Sequence, residues 1–217
     1  MSAGHTHRRA GPYNSGIKRT MDILLTLPGA IILLPLLLLV GVVLLATQGR
    51  PVLFRQRRVG AGLRPFDMLK FRTMGTGTGT DEQRLTGIGR WLRATSIDEL
   101  PQVWNVLKGE MSLVGPRPTL PEYIARMTPE QRRRQLVKPG ITCLPNVRGR
   151  NRLGWSERFA LDVQYVDEQS LRLDVTILLH TLITVSRREG ISQQGRATSE
   201  EFLGAAGATD RRVDERR

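Results

Sequence analysis

Residues Ile23 to Ala46, ILLTLPGAIILLPLLLLVGVVLLA, form an uncharged run of 24, longer than the roughly 20 apolar residues an α-helix needs to cross a bilayer core. No other part of the 217-residue chain compares with it. A secretory signal has a shorter apolar stretch and a small-x-small cleavage site, whereas Leu44 occupies the position that should be small ahead of Ala46. The segment is therefore read as retained, and a single such segment excludes a polytopic membrane protein. Arg8, Arg9, Lys18 and Arg19 precede the run, and Arg50, Arg55, Arg57, Arg58, Arg64, Lys70 and Arg72 follow it. A single crossing leaves one cationic cluster outside, against the preference of Lys and Arg for the cytoplasm. A segment that turns back keeps both clusters inside. Pro35, at the midpoint, removes a backbone donor and crowds the preceding turn, and Pro28 and Gly29 weaken the first half. Two topologies follow from charge and proline, and both stay open on that ground: a helical hairpin broken at Pro35 that enters and leaves through the cytoplasmic leaflet, and a kinked single span.

Outside this run the composition is that of an ordinary folded domain. Hydrophobic residues make up 40% and charged residues 24%, which excludes a collagen repeat, a coiled-coil rod and wholesale disorder. The length fits one domain plus an appendage. Thirty-three basic residues against 20 acidic ones give a net charge of +13, pointing to anionic partners: nucleic acid, anionic lipid or phosphorylated small molecules. One cysteine, Cys143, forbids an intrachain disulfide framework. The chain divides into a disordered tail over 1–16, the membrane helix over 17–48, a cytosolic domain over 49–195 and a flexible tail over 196–217.

Within the domain, Val52 to Gln56 and Phe66 to Thr73 read as two short strands around Gly60-Ala61-Gly62, a β-hairpin. Gly75 to Thr80 is a flexible Gly-Thr loop. The stretch Leu85 to Leu120 reads as mostly helical, and Thr128-Pro129-Glu130-Gln131 carries the cap, first-turn proline and back-bonding residue of a helix start. Trp155, Phe159, Val163 and Val166 recur at helical spacing, as do Leu171, Val175, Leu178, Leu182 and Val185; both rows are expected to face the core, with His180 packed among them. The fold class is an α-rich α+β domain, with a short β-hairpin and amphipathic helices, attached to one membrane hairpin.

Two short motifs carry the chemistry. In Ser96-Ile97-Asp98-Glu99-Leu100-Pro101 the adjacent carboxylates fit a capping box with Ser96 as cap, but Pro101 then falls where its ring clashes. With Asp98 as cap, Pro101 falls in the first turn, and Asp98 faces the positive helix end as a nucleophile or metal ligand. In Gly115-Pro116-Arg117-Pro118 two prolines fix the backbone around one arginine, which suits either a bidentate grip on phosphate or a tight surface turn. Lys70, Arg72 and Arg93 could add positive charge.

The run RWLRATSIDELPQVWNVLKGEMSLVGPRP, Arg90 to Pro118, closely resembles the signature of the bacterial initiating sugar transferases, the monotopic phosphoglycosyl transferases. Lys18-Arg19, the KFRTM of Lys70 to Met74, the KPGIT of Lys138 to Thr142 and the later Gly149-Arg150-Asn151 match in the same order, so the resemblance covers about residues 16 to 195. A compound match of this length is far more specific than any single motif. It implies a small member that moves a sugar 1-phosphate from a nucleotide diphosphate sugar, usually a UDP-sugar, to polyprenyl phosphate, giving the polyprenyl diphosphate sugar and UMP.

The resemblance further implies that Asp98 is the nucleophile of an aspartyl phosphosugar intermediate and that Asp98 and Glu99 meet Mg²⁺. Glu99 would assist the metal or deprotonate the lipid phosphate, and Arg117, Lys70 and Arg93 would bind phosphate. It also implies a re-entrant helix in the cytoplasmic leaflet of the bacterial plasma membrane, with the catalytic domain facing the cytoplasm, and an initiating step in exopolysaccharide, capsule, O-antigen or glycoprotein glycan synthesis. The family breaks that helix at a Ser-Pro pair, which here reads Leu34-Pro35. A second departure, Cys143 to Arg148, replaces a Gly-Trp-Ala-Gln-Val stretch of many relatives. Two other classes remain as alternatives: an inactive scaffold of a glycan assembly complex, and a membrane-anchored nucleic-acid-binding protein. The second is disfavoured by 5% aromatic content and dispersed arginines.

Overall fold

The computed structural model describes residues 13–149, 153–186 and 201–204. The apolar run becomes helix α1, Lys18–Gln48, continuous through Pro28 and Pro35. The sequence reading expects a break at Pro35. The helix instead absorbs each proline as a lost donor on one turn, and the flanking Leu and Ile residues sustain the helical pattern on both sides. At about 1.5 Å per residue its 31 residues extend roughly 46 Å.

Both ends of α1 are seated on the same domain. At the start, Lys18, Asp22 and Thr26 are buried; near the end, Val40 and Leu44 are. Between Thr26 and Val40 no residue is buried. Lys18 pairs with the buried Asp174, whose carboxylate also accepts from the Tyr13 hydroxyl at 2.6 Å and the Tyr165 hydroxyl at 2.7 Å. Arg19 donates to the carbonyls of Val106 and Leu107 at 2.6 and 2.7 Å. Asp22 accepts from the Ser112 hydroxyl at 2.9 Å and the Leu113 amide at 3.0 Å. At the other end, Arg72 donates to the carbonyls of Gln48, Gly49 and Arg50, supplying the donors that a helix C-terminus lacks. Val40 and Leu44 pack there with Phe71 and Leu92.

Strands β1, Leu53–Val59, and β2, Pro65–Phe71, form the expected antiparallel hairpin, with Phe54 opposite Lys70 and Arg58 opposite Phe66. The turn between them holds Gly62 at φ +61° and the non-glycine Leu63 at φ +62°. Helix α2, Asp81–Arg84, opens on a Thr80 capping box, and α3 spans Gly87–Ala94. Gly89 lies against the KFRTM segment so closely that a Cβ there would stand 1.9 Å from the Thr73 carbonyl oxygen. After a 3-10 segment, Ile97–Gln102, the chain forms α4, Val103–Lys108, and then β3, Ser112–Val114.

β3 pairs in parallel with β4, Gly140–Thr142, through Ser112 opposite Gly140 and Val114 opposite Thr142. The sequence reading assigns β3 to a helical stretch, because a three-residue strand is too short to show alternation. Helices α5, Pro121–Arg126, and α6, Pro129–Arg132, join the two strands, and the Thr128 capping box at α6 is present as expected. Helix α7, Leu144–Arg148, follows β4.

Helices α8, Trp155–Glu168, and α9, Leu171–Ser186, complete the domain. α8 buries Phe159 and Val163 as the spacing predicts. α9 is rotated from expectation: Leu171, Val175 and Leu182 are exposed, along with Leu179, Ile183 and His180, while Asp174 and Ile177 face the core. The Lys18–Asp174 pair explains this, because bringing Asp174 inward turns the leucine row out. Tyr13–Ile17 forms a helical turn ahead of α1, although the tail reading extends to residue 16. Glu201 to Gly204 are placed too: Phe202 is buried with Tyr123, Phe159 and Trp155, so the tail reading beyond Gln193 misses one docked aromatic. Residues 1–12, 196–200 and 205–217 of the two expected tails lie outside the described residues.

Candidate active site

The Asp-Glu pair sits on the 3-10 segment Ile97–Gln102, entered through Ser96 in the left-handed region at φ +58°. Neither cap register expected from sequence is formed: Ser96 makes no side-chain cap bond, and Asp98 lies within the segment. The tighter 3-10 turn accommodates Pro101 before α4 begins. A non-glycine residue held at positive φ costs about 1 kcal/mol or more and is characteristic of functional turns.

Asp98 and Glu99 meet different surroundings. The Glu99 carboxylate accepts from the Lys70 ammonium at 2.7 Å and from the Arg117 fork at 2.5 and 3.4 Å. Burial disfavours its charge, but Arg117 and Lys70 outweigh that effect and hold Glu99 far below the usual carboxylate range. Arg117 is correspondingly raised, first by Glu99. Asp98 is 8% exposed, and among the described residues no hydrogen bond ends on its carboxylate. Burial, and then the negative Glu99 beside it, push its pKa up to about 6, against the pull of Lys70, Arg93 and Arg117.

The scaffold brings these side chains together from four places. Lys70 comes from β2, whose position is fixed by buried Asn105: its side chain accepts from the Leu69 amide at 3.0 Å and donates to the Asp67 carbonyl at 2.8 Å. Arg93 projects from α3, donates to the Thr73 hydroxyl at 3.0 Å, and acts electrostatically on Asp98. Arg117 comes from the turn after β3. At its base a Cβ on Gly115 would lie 2.3 Å from the Lys138 carbonyl oxygen, and one on Gly140 2.1 Å from the Gly115 nitrogen, so the Gly-Pro-Arg-Pro and Pro-Gly-Ile-Thr motifs need their glycines because the two backbones touch. The structure therefore brings Asp98, Glu99, Lys70 and Arg117 into one cluster, with Arg93 at its side. Pro35 lies apart from it, exposed at the middle of α1.

Other residues of the site region are not readable from the sequence alone. Arg134 donates to the Arg117 carbonyl at 2.6 Å and is paired with buried Asp162; Arg58 donates to the Pro118 carbonyl at 3.2 Å. Arg134 reads as one of three successive arginines, with no signal to distinguish it. Cys143 is buried with its thiol pushed up to about 12, chiefly by burial, so it is inert as a nucleophile. Of Gly149-Arg150-Asn151, the last two lie outside the described residues.

Among the described residues no group of three or more His, Cys, Asp and Glu side chains is gathered as a metal cage. Mg²⁺ bound with a diphosphate needs only one or two carboxylates, and Asp98, its lone pairs unclaimed among the described residues, fits that need. Glu99 is already engaged by two cations.

The bacterial sugar transferase family model matches residues 13–188. The chain is 48% identical over 163 residues to the uncharacterized sugar transferase EpsL of Bacillus subtilis, covering 72% of this chain and 81% of that one. It is 40% identical to the UDP-glucose:undecaprenyl-phosphate glucose-1-phosphate transferase of Caulobacter vibrioides, covering 76% and 68%. To the undecaprenyl-phosphate galactose phosphotransferase of Salmonella typhimurium it is 34% identical over 80% of this chain, which spans 41% of that longer protein. With the match running through α1, the Asp-Glu segment and the Arg117 turn alike, the chain belongs to the bacterial sugar transferases and is a sugar-phosphate transferase.

Proposed function

We propose that the enzyme transfers a sugar 1-phosphate from a UDP-sugar to polyprenyl phosphate through a covalent intermediate on Asp98. The Asp98 carboxylate, without a hydrogen bond among the described residues and next to a Glu99 whose charge is taken up by Lys70 and Arg117, is the observation that carries this reading. An Asp98 oxygen attacks the sugar-proximal phosphorus, and the bond to the bridging oxygen breaks with its electron pair leaving on UMP. A polyprenyl phosphate oxygen then attacks the same phosphorus and returns the Asp98 carboxylate. Arg117 and Lys70 lie where charge grows on the phosphoryl oxygens, and Arg93 adds to that field. Asp98 would hold Mg²⁺, which would supply charge neutralisation for the leaving phosphate. Glu99, held ionised by two cations, is a poor base, and its role in this reading is to aim those cations. The names of the Caulobacter and Salmonella relatives support the substrate classes.

The test is purified protein with polyprenyl phosphate, Mg²⁺ and a panel of UDP-sugars, scored by UMP release. Without acceptor, mass spectrometry should find one phosphosugar on the Asp98 peptide, absent in Asp98→Asn. UMP release by Asp98→Asn at the wild-type rate would sink the mechanism.

The topology proposed with it is a re-entrant placement of α1 in the cytoplasmic leaflet, with both ends of the helix on the domain side. Residues 27–39, the part that leaves the domain, extend only roughly 20 Å, too short to cross a core of about 30 Å and return. Their two flanks hold the same body, and the basic clusters beside those flanks suit the anionic cytoplasmic face. The exposed leucine row of α9 adds apolar surface near Lys18, at the seated start of α1. Single cysteines before residue 22 and after residue 48 should label from the cytoplasmic side only; labelling from opposite sides would exclude this topology.

A further inference from the structure

The proposed mechanism needs the Arg117 guanidinium at one place, yet the side chain is about half exposed and the turn that carries it belongs to neither helix nor strand. Its backbone is held in another way. The four successive carbonyls from Pro116 to Thr119 are each taken by a donor from elsewhere: the Gly140 amide to Pro116 at 3.0 Å, Arg134 to Arg117 at 2.6 Å, Arg58 to Pro118 at 3.2 Å and the Val59 amide to Thr119 at 3.0 Å. Gln135 adds a bond to the Thr119 hydroxyl at 3.2 Å.

Two of these donors are guanidinium groups, and each is fixed from behind. The Nε and Nη2 atoms of Arg134 both donate to one oxygen of Asp162, at 3.0 and 2.6 Å, with both side chains buried and the Arg134 guanidinium 5.1 Å from the Phe159 ring centre. Arg58 donates to the Gln56 side chain at 2.6 Å. A buried ion pair is seldom more stable than an apolar pair of the same volume, so stability alone is a weak reason for arginine and aspartate here. What the pair adds is direction: a charged donor aimed at the carbonyl of the residue whose side chain grips Glu99.

We propose that Arg134, oriented by Asp162, and Arg58 are positioning residues that hold the Arg117 and Pro118 carbonyls, so that the Arg117 guanidinium meets Glu99 in a single orientation. They act through Arg117 and touch no substrate. The inference rests on the transferase reading for its catalytic consequence, and on backbone geometry for the rest.

The test is a mutant cycle on the full chain in nanodiscs. The pair Arg134→Met/Asp162→Leu removes the whole ion pair and leaves no buried charge unmatched. UMP release should fall roughly 100-fold, the scale of a 1 Å misplacement, mainly in kcat with the KM for the UDP-sugar little changed. Made in an Arg117→Met background, the same pair should cost nothing further, because residues that act as one unit are non-additive. An equal loss in both backgrounds would mean a general structural role and overturn the proposal. Arg58→Met, tested in the same two backgrounds, decides the matter if the double variant does not fold. A second readout needs no turnover: the guanidinium protons of Arg117 should exchange slowly by NMR in the wild type and fast in Arg58→Met and in the double variant. Unchanged exchange overturns the proposal even if the wild type releases no UMP, the result that would separately defeat the transferase reading.

Discussion

Asp98 and Glu99 are adjacent in sequence and chemically opposed in the fold, and their pH responses follow from that. A nucleophile must be ionised, so with the Asp98 pKa at about 6 the single-turnover formation of the phosphosugar adduct should rise through pH 6 and level off above pH 7. A rate flat from pH 5 to 8 would show that another group attacks. The same shift bears on stability. The folded-state pKa lies above the unfolded value, so the folded chain binds the proton more tightly, and stability is lost as pH rises from about 4 through 6. Ionised Asp98 therefore costs the fold about 3 kcal/mol at neutral pH. Asp98→Asn, inactive, should melt at a higher temperature than wild type at pH 7.5, with the gap closing toward pH 4. Arg117→Lys keeps the charge and loses the fork; a fall in kcat of about tenfold or more is expected, read from UMP release. The pair itself was legible chiefly through the resemblance of Arg90 to Pro118 to a family signature, because Asp98 as a cap with Pro101 in the first turn is also an ordinary helix start. Arg134 and Asp162 were not, because a row of arginines gives no sign of which one faces inward.

The elements meet at glycines where the site is built. A Cβ on Gly89 would collide with the Thr73 carbonyl, so Gly89→Ala must push α3 away from the segment that holds Lys70 and Arg93's partner Thr73. Gly140→Ala would likewise part the Arg117 turn from β4. Both should lower the melting temperature by several degrees and reduce UMP release further than their stability loss explains, whereas Gly87→Ala, with open space around its Cβ position, should do neither. The β-hairpin and the α6 start were readable from alternation and capping residues. The burial of α9 was not: both of its faces carry apolar residues, and the one that turns inward is chosen by Asp174, whose partners Tyr13 and Lys18 lie about 160 residues away. Periodicity within one helix contains no record of such a partner. The same limit hid Phe202, which docks on an aromatic cluster from a stretch otherwise small and charged.

Over the whole molecule, one domain holds the long apolar helix α1 by both flanks, through ionic and hydrogen bonds at one end and apolar packing with the Arg72 cap at the other. Breaking the first flank is costly if done on one side only. Asp174→Leu strands Lys18 in a buried site and should destabilise by about 3–5 kcal/mol, while Lys18→Met/Asp174→Leu should recover much of that, as measured by thermal unfolding in nanodiscs. The apolar run made the long helix α1 legible; that both its ends rest on the same body is a tertiary fact, outside the reach of local pattern. The pairing of Lys18 with Asp174 also sets a schedule. These residues are 156 positions apart, and at roughly 5–20 residues per second a ribosome needs about 8–30 s to make the second after the first. During that interval Lys18 has no Asp174 carboxylate to pair with. The start of α1 can therefore be seated on the domain only once Asp174 has been made, however early α1 itself leaves the ribosome.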